Sequence, residues 1–446
     1  MAEALKRAAA LGAEKTIGEL KQAGLRDRDY ENLLTGRRLQ AHAQLAGKGK
    51  RVVCDCVDRE PGLGIQRHLL AREAGLVAEG ALIAAFVTSS FDVVVHVAED
   101  DAKGAGAVAA ALERFRAACA LGKDMMIETV RRPLRPNLKG YEDVPTLVVD
   151  GETLTHIGRI LRDGADHYRL QGTPGSPGTK LFQVSGSVNQ TGIFELALGL
   201  TLRRVIEDVC GGIKDGDRLQ SVIVGGSKGA CYAPDELDLV LDFDSVRESG
   251  GVIGSGGIAV LNERDCIVDQ VKARIAVACN VDCGKCSLGR EGSYQLREIV
   301  ADMTRGKSRS GDLEMLREVG QAMQVGCACG AGRTTPNIIL STLEKFPDDY
   351  EAHMKRRLCR ALVCEQYVTF HILPDLCDGC GVCAERCPED AIEGGTKKIH
   401  VIDQDSCTKC AKCYEACLDL RKAVVKAGPI KPRTPKKPIP AGSWGA

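Results

Sequence analysis

The sequence predicts a multidomain α/β protein with a helical, cysteine-bearing region and a small cysteine-repeat domain near its carboxyl end. Three observations predict it. Strand-like and helix-like runs alternate through the first 150 residues, a Gly/Pro/Ser joint interrupts the chain at 172–178, and 15 of the 21 cysteines fall between Cys279 and Cys417. At 446 residues the chain exceeds what one hydrophobic core fills, so several domains are expected. Lys plus Arg balance Asp plus Glu at 60 each, which leaves no global field for nucleic acid or an anionic membrane.

The elements follow in order. Residues 1–40 read as polar and helical. Lys50–Val57 is a short strand-like run, Ala78–Phe86 helix-like, Phe91–Ala98 a β-branched strand, Ala102–Leu121 an Ala-rich helix and Pro145–Val149 a further strand. That alternation makes 1–170 an α/β domain. The joint Gly172–Gly178 is a boundary. Beyond it, strands at Lys180–Val188 and Leu219–Val224 flank a helix at Thr201–Val209 and suit a small mixed domain over 171–265, closed by Gly250–Gly257. Residues 266–365 turn helical, as in Val268–Ala278, Ser293–Met303 and Asp312–Met323, and read as a bundle. The cysteine repeat occupies 366–427. The last segment, 428–446, is Pro-rich and basic, is expected to lack a packed core, and suits contact with a partner.

So many cysteines suit either a disulfide-rich secreted protein or an intracellular metal protein. The first fifteen residues carry Glu3, Lys6, Arg7, Glu14 and Lys15, with no apolar stretch of signal-peptide type. The most apolar stretch, Ala74–Ala98, is broken by Glu79 and Asp92 and reads as a buried helix running into a strand. A reducing, cytoplasmic setting without membrane insertion is therefore expected, and metal-bound thiolates are favoured over disulfides.

The repeat is the strongest signal. Cys377, Cys380, Cys383 and Cys387 have the spacing C-x2-C-x2-C-x3-C, followed by Pro388; Cys407, Cys410, Cys413 and Cys417 repeat it 30 residues later, followed by Leu418. This is the spacing of a bacterial two-cluster ferredoxin. Three closely spaced thiolates grip three irons of one cube, and the fourth points away to the other cube. Cys377, Cys380, Cys383 and Cys417 should hold one [4Fe-4S] cluster; Cys407, Cys410, Cys413 and Cys387 should hold the second. Zinc is the alternative occupant, but four-thiolate zinc sites usually draw their ligands as two pairs, not three plus one.

Two upstream segments, Asp282–Gly292 (DCGKCSLGREG) and Gly326–Asn337 (GCACGAGRTTPN), resemble a known family. It comprises the flavin- and NADH-binding subunits of bacterial complex I (NADH-quinone oxidoreductase) and of NAD-linked hydrogenases and formate dehydrogenases, with the patterns CGKCxPCREG and CGxGxxxPN. Arg59–Gly62, Pro145–Leu154, Gly178–Ile193 and Gly254–Gly257 match in the same order, so the resemblance covers nearly the whole chain from about residue 20. It implies a Rossmann-like first domain, a β-grasp-like (SLBB-like) second domain, a helical iron–sulfur domain and an appended ferredoxin-like domain with two [4Fe-4S] clusters. It also implies a third [4Fe-4S] cluster in the helical domain. Cys283, Cys286 and Cys329 match three of its ligands, whereas Gly289 stands where the family has the fourth. Cys327, two residues before Cys329, is favoured as the substitute over Cys279, one helical turn before Cys283.

The family's flavin mononucleotide and NADH site departs further. Its glycine-rich GRGGAGFP loop, which lets backbone approach the phosphates, becomes Gly24–Gly36 here, with Asp27, Asp29, Tyr30 and Asn32 in place of glycines. Asp27, Asp29 and Glu31 put negative charge where phosphates would sit. The family's CNADESEPG becomes Cys54–Gly62, with Val57 in place of a carboxylate, and its paired asparagines become Val149 and Asp150. FMN and NAD(H) binding in the usual manner is therefore expected to be absent. Arg28 and Glu60 still align with family cofactor positions, although a solvated ion pair or loop charge accounts for both. Cys54 and Cys56 read as partly buried thiols, His96 and His156 as packing or surface residues, and Gly225–Gly229 as a turn without the phosphate-loop frame.

The expected function is electron transfer by an iron–sulfur component of a soluble multi-subunit oxidoreductase, with no catalytic acid, base or nucleophile of its own. A working NADH:acceptor oxidoreductase (diaphorase) with a rebuilt flavin site is the alternative, and a scaffold role the second. The implied partners are a thioredoxin-like iron–sulfur subunit, a catalytic subunit, and ferredoxin or another electron carrier.

Overall fold

The computed structural model describes residues 2–46, 49–118, 126–132 and 144–445. Its contacts divide the chain into two compact units: residues 1–262, 273–297 and 316–345 in one, and 263–272, 298–315 and 346–446 in the other. The helical stretch expected as one bundle over 266–365 thus contributes to both.

In the first unit, strands β1 (Arg51–Cys56), β2 (Asp92–Ala98), β3 (Met126–Arg132) and β4 (Thr146–Asp150) form an all-parallel sheet in the order β3-β2-β1-β4. Val53 pairs with Val94 on one side and Val148 on the other. β1 and β2 are valine-rich and buried on both faces, as a parallel sheet covered by helices requires. The helix expected at Ala78–Phe86 is the second half of a longer one, Ile65–Thr88, kinked at Glu73. A β-carbon on Gly80 would strike the Leu154 carbonyl, so glycine is what lets this helix pack against helix Gly151–Asp163. The Asp150 carboxylate caps that second helix by accepting from Thr153 N at 2.9 Å. The polar amino-terminal region is three helices, Glu3–Leu11, Ala13–Gln22 and Thr35–Gln44, which bury Leu5, Leu20 and Leu39. Helix Ala102–Ala118 ends the described run there; residues 119–121 of the expected helix lie outside the described residues.

The second sheet of this unit takes the order β6-β5-β9-β7-β8, from β5 (Thr179–Gly186), β6 (Gly192–Ala197), β7 (Leu219–Val224), β8 (Ala230–Tyr232) and β9 (Gly257–Asn262). Only β5 and β9 run parallel. Phe182, Val184, Val222, Tyr232 and Val260 form its core. The helix expected at Thr201–Val209 is a single turn, Leu202–Arg204, capped by the Thr201 hydroxyl and continued by a wide π-helical turn.

The second unit contains the repeat. β10 (Thr369–Ile372) pairs antiparallel with β13 (Val424–Ala427), and β11 (Ile392–Gly395) with β12 (Lys398–Ile402). Short helices Val382–Glu385 and Lys412–Leu418 follow the two cysteine runs. Phe370, Ile372, Ile392, Ile402 and Val424 pack with Cys383, Cys413 and Cys417. The tail, expected to lack a packed core, is laid along β12. Ile399 N donates to the Ile439 carbonyl at 2.8 Å, and Ala441 N to the Lys397 carbonyl at 2.9 Å. An edge strand offers unpaired backbone groups, and prolines 438 and 440 fall where the ladder needs no donor. Among the described residues no helix is long and apolar enough to cross a membrane.

Candidate metal centres and the altered nucleotide pocket

The eight repeat cysteines sort into two separate small cavities. Cys377, Cys380, Cys383 and Cys417 line one, with Ile372, Val382 and Val424. Cys387, Cys407, Cys410 and Cys413 line the other, with Phe370, Ile392 and Ile402. Each cavity draws three thiols from one run and its fourth from the other. The loops reach this shape through left-handed residues at equivalent places: Gly379 (φ +79°) and Gly381 (φ +84°) in the first run, Lys409 (φ +60°) and Ala411 (φ +63°) in the second. At Gly379 a side chain is excluded, because its β-carbon would lie 2.5 Å from Lys398 N. Burial pushes the Cys383 thiol up to about 12 and Cys413 up to about 11. Thiolates here therefore need metal cations to hold their charge. Ala391 N donates to Cys387 Sγ at 3.3 Å and Lys409 N to Cys407 Sγ at 3.4 Å, contacts that stabilise thiolate sulfur and tune a cluster's potential.

The upstream cysteines converge in the first unit. A β-carbon on Gly332 would lie 3.2 Å from Cys327 Sγ and 3.6 Å from Cys329 Sγ, so both thiols sit over that glycine. Cys286 hydrogen-bonds with Cys327, and Gly289 N donates to Cys286 Sγ at 3.3 Å. Backbone N–H groups of Ala328 and Gly289 hold the Cys286 thiol below its usual range, while burial pushes Cys327 up to about 11. Buried Lys228 feels the charges of both Cys283 and Cys329. The Cys279 thiol is turned to the Ser293 carbonyl at 3.0 Å. The buried thiol beside Cys286 is thus Cys327.

The loop at 24–36 consumes its own polar groups. Asp27 accepts from Thr35 Oγ1 at 2.6 Å and pairs with Arg38; Asp29 accepts from the backbone of Glu31 and Asn32. Arg28 N donates to Thr153 Oγ1 at 2.8 Å, in the first turn of helix Gly151–Asp163. Tyr30 bonds to Glu60, and a β-carbon on Gly254 would lie 2.6 Å from its ring. Glu31 accepts from Gly330 N at 3.0 Å, which ties the loop to the Cys327–Cys329 segment. Desolvation pushes Asp29 up to about 7. Asp27, Asp29 and Tyr30 in this loop are thus bonded to neighbouring protein groups.

The solvated ion pair expected of Arg28 and Glu60 is not what forms. Both are buried, and each is spent separately. Arg28 donates to Tyr168 Oη at 2.7 Å and to the carbonyls of Pro177 and Thr179, each at 3.0 Å; Glu60 accepts from Ser227 N at 2.7 Å and from Ser255 at 3.1 Å. Burial puts such groups onto backbone and hydroxyl partners, and Lys228 adds its positive charge near Glu60. Cys54 and Cys56 are fully rather than partly buried, and burial raises both thiols well above their usual range. His96 and His156 are buried as well. A cavity of about 920 Å³ remains beside the β1 end, lined among others by Asp58, Glu60, Gly62, Arg67 and Asp100.

One cluster escaped the sequence reading. Cys266, His353, Cys359 and Cys364, all buried in the second unit, bring their ligand atoms within 4.8 Å of one another. Cys266 Sγ lies 3.3 Å from His353 Nε2 and 3.8 Å from Cys364 Sγ, and Cys364 Sγ lies 3.4 Å from Nε2. A tetrahedral zinc with Zn–S near ~2.3 Å separates its sulfurs by about 3.8 Å, so the quartet suits one such ion. The Asp349 carbonyl, 2.7 Å from His353 Nδ1, orients the imidazole so that Nε2 faces the thiols. The only local signal was Cys359-x4-Cys364, because Cys266 is 87 residues from its histidine.

Thiol quartets spaced for inorganic clusters, in a chain with no helix able to cross a membrane among its described residues, define an iron–sulfur protein of the oxidoreductase class. Three family descriptions match: an SLBB domain at 181–229, the NADH-ubiquinone oxidoreductase-F iron-sulfur binding region at 269–353, and a 4Fe-4S dicluster domain at 370–418. The chain belongs to this NADH-quinone oxidoreductase-F-like family. It is 37% identical over 330 residues to the NADP-reducing hydrogenase subunit HndC of Solidesulfovibrio fructosivorans, covering 74% of this chain and 65% of that one. It is 28% identical over 392 residues to the F chain of the NADH-quinone oxidoreductase of Streptomyces coelicolor, covering 80% of this chain and 87% of that one. Its fold is like that of the NAD+-reducing [NiFe]-hydrogenase in the H2-reduced state, with a TM-score of 0.69 at 24% identity, covering 79% of this chain and 65% of that chain.

Proposed function

We propose that this chain is an electron-conducting component of a multi-subunit oxidoreductase, with three [4Fe-4S] clusters and no flavin or NADH held in the usual manner. The sorting of the repeat cysteines into two cavities, three plus one in each, carries the reading. Cys377, Cys380, Cys383 and Cys417 would hold one cluster, and Cys407, Cys410, Cys413 and Cys387 the next. Cys283, Cys286, Cys327 and Cys329 would hold the third. Such clusters take up and release single electrons. The chain's part is to deprotonate and position the thiols, exclude water with Phe370, Ile372, Ile392 and Val424, and aim backbone N–H groups at sulfur. No acid–base residue is required. The Cys266, His353, Cys359 and Cys364 quartet would hold a zinc ion that staples its unit. The partners in this reading are a thioredoxin-like iron–sulfur subunit and a catalytic subunit, and the setting is the cytoplasm.

A second reading, an NADH:acceptor oxidoreductase with a rebuilt flavin site, is favoured by one observation: the 920 Å³ cavity at the β1 end is large enough for a nucleotide. One anaerobic preparation separates the two when iron, sulfide and flavin are measured on the same sample. The first reading expects about twelve irons and no flavin per chain. Stoichiometric flavin would overturn it in favour of the second, and a colourless, zinc-only protein would end both.

A further inference from the structure

We propose that the basic tail is a docking strap for an acidic one-electron carrier protein, which exchanges electrons with the chain at the Cys377 quartet. The inference rests on reading that quartet as a cluster site. Residues 428–446 contain Lys431, Arg433, Lys436 and Lys437 and no acidic residue. All four cations are exposed, and none forms an ion pair among the described residues.

The strap is fixed in place, and its path runs around one cavity. It leaves β13, whose Val424 lines the Cys377 cavity. Lys431 then comes within electrostatic reach of His371 on β10, the neighbour of cavity-lining Ile372. Its far end is tied to Lys397 and Ile399 through Ala441 and Ile439. Lys397 and Lys398, both exposed, are the residues against which Gly379 packs, with contacts of 2.5–2.7 Å from its β-carbon position. Gly379 sits between Cys377 and Cys380, and Cys380 is exposed. Lys431 near one end of the strap, and Lys397 and Lys398 where its other end is tied, thus stand beside the cavity that holds the exposed Cys380.

Chemistry favours an acidic electron carrier as the occupant. The chain as a whole is neutral, so this field is local and marks one place. Oppositely charged patches raise encounter rates and orient partners, and screening beyond a Debye length of about 10 Å makes that effect salt-sensitive. Five prolines hold the strap extended, so its lysines are presented with little ordering cost on binding. The step is simple to balance. The reduced carrier loses one electron, the cluster held by the Cys377 quartet gains it, and no bond or proton moves.

The test uses the full-length chain and a reduced acidic [2Fe-2S] ferredoxin, with cluster bleaching followed by stopped flow at low and high salt. The wild type should react about tenfold or more faster at low salt. The variant K431Q/R433Q/K436Q/K437Q, which keeps the Ile439–Ala441 anchor, should lose that advantage and its salt dependence. Bleaching by dithionite should be the same in both. A variant that keeps the wild-type rate and salt slope overturns the strap, as does binding of the strap to phosphatidylserine vesicles without any effect on the ferredoxin rate. Failure of dithionite to bleach the wild type would instead sink the cluster reading beneath it.

Discussion

The carboxyl-terminal repeat and the loop at 24–36 respond to the same chain's history in opposite ways. In the repeat every cysteine of the spacing is present, and all eight face one of two cavities. In the loop, Asp27, Asp29 and Tyr30 bond to neighbouring protein groups. The difference is one of what each site is made from. A thiolate site depends on a few sulfur atoms, and losing one is costly. A phosphate cradle is made of backbone and empty space, which any β-carbon can fill. Between these extremes, Gly289 donates its backbone N–H to Cys286, which hydrogen-bonds with Cys327.

The comparison can be broken most forcefully at the repeat. Cys413→Ala is expected to remove at least one cluster, lowering iron by about four per chain, and to loosen the pair, because Cys413 is buried in the shared core. Iron assay and low-temperature EPR would register it; unchanged iron would contradict the crossed assignment. Next comes the helical site. Cys327→Ser should cost about four irons and one EPR signal, whereas Cys279→Ser should leave both intact. The reverse pattern would make Cys279 the ligand. A third, more local effect concerns the missed quartet. Cys364→Ser should abolish binding of one zinc, measured by elemental analysis, and lower the unfolding temperature of its unit. Retention of stoichiometric zinc would rule out this quartet as its holder.

The smallest effect concerns pH. Burial raises the Asp29 carboxyl to about 7 in the folded chain, above its unfolded value. Folding therefore favours the protonated form. Stability from this group is present below the unfolded pKa and is lost as pH rises through about 7. Asp29→Asn should flatten the fall in unfolding temperature between mildly acidic and mildly alkaline solution. A slope identical to wild type would show that the carboxyl is not desolvated.

How much was legible follows from how local each pattern is. The repeat could be read because ligands two and three residues apart announce themselves, and the sheet at 50–150 because valine runs alternate with helical ones. Cys266 and His353 could not be joined on paper, since only the tertiary fold brings them to 3.3 Å. Arg28 and Glu60, read as a solvated ion pair or loop charge beside their alignment with cofactor positions, are buried, and their partners could not be read for the same reason. Their partners, Tyr168, Pro177, Ser227 and Ser255, lie more than a hundred residues along the chain. The tail's course along β12 could not be read, because composition is blind to a vacant strand edge.

The exchange of fourth cysteines between the two runs carries an implication for ancestry. Neither half of the repeat, cut out alone, encloses a complete set of four sulfurs. A half-length forebear would have had to clasp a second copy of itself before either could house a cube. Joined in one polypeptide, the two halves supply each other's fourth sulfur without a second molecule.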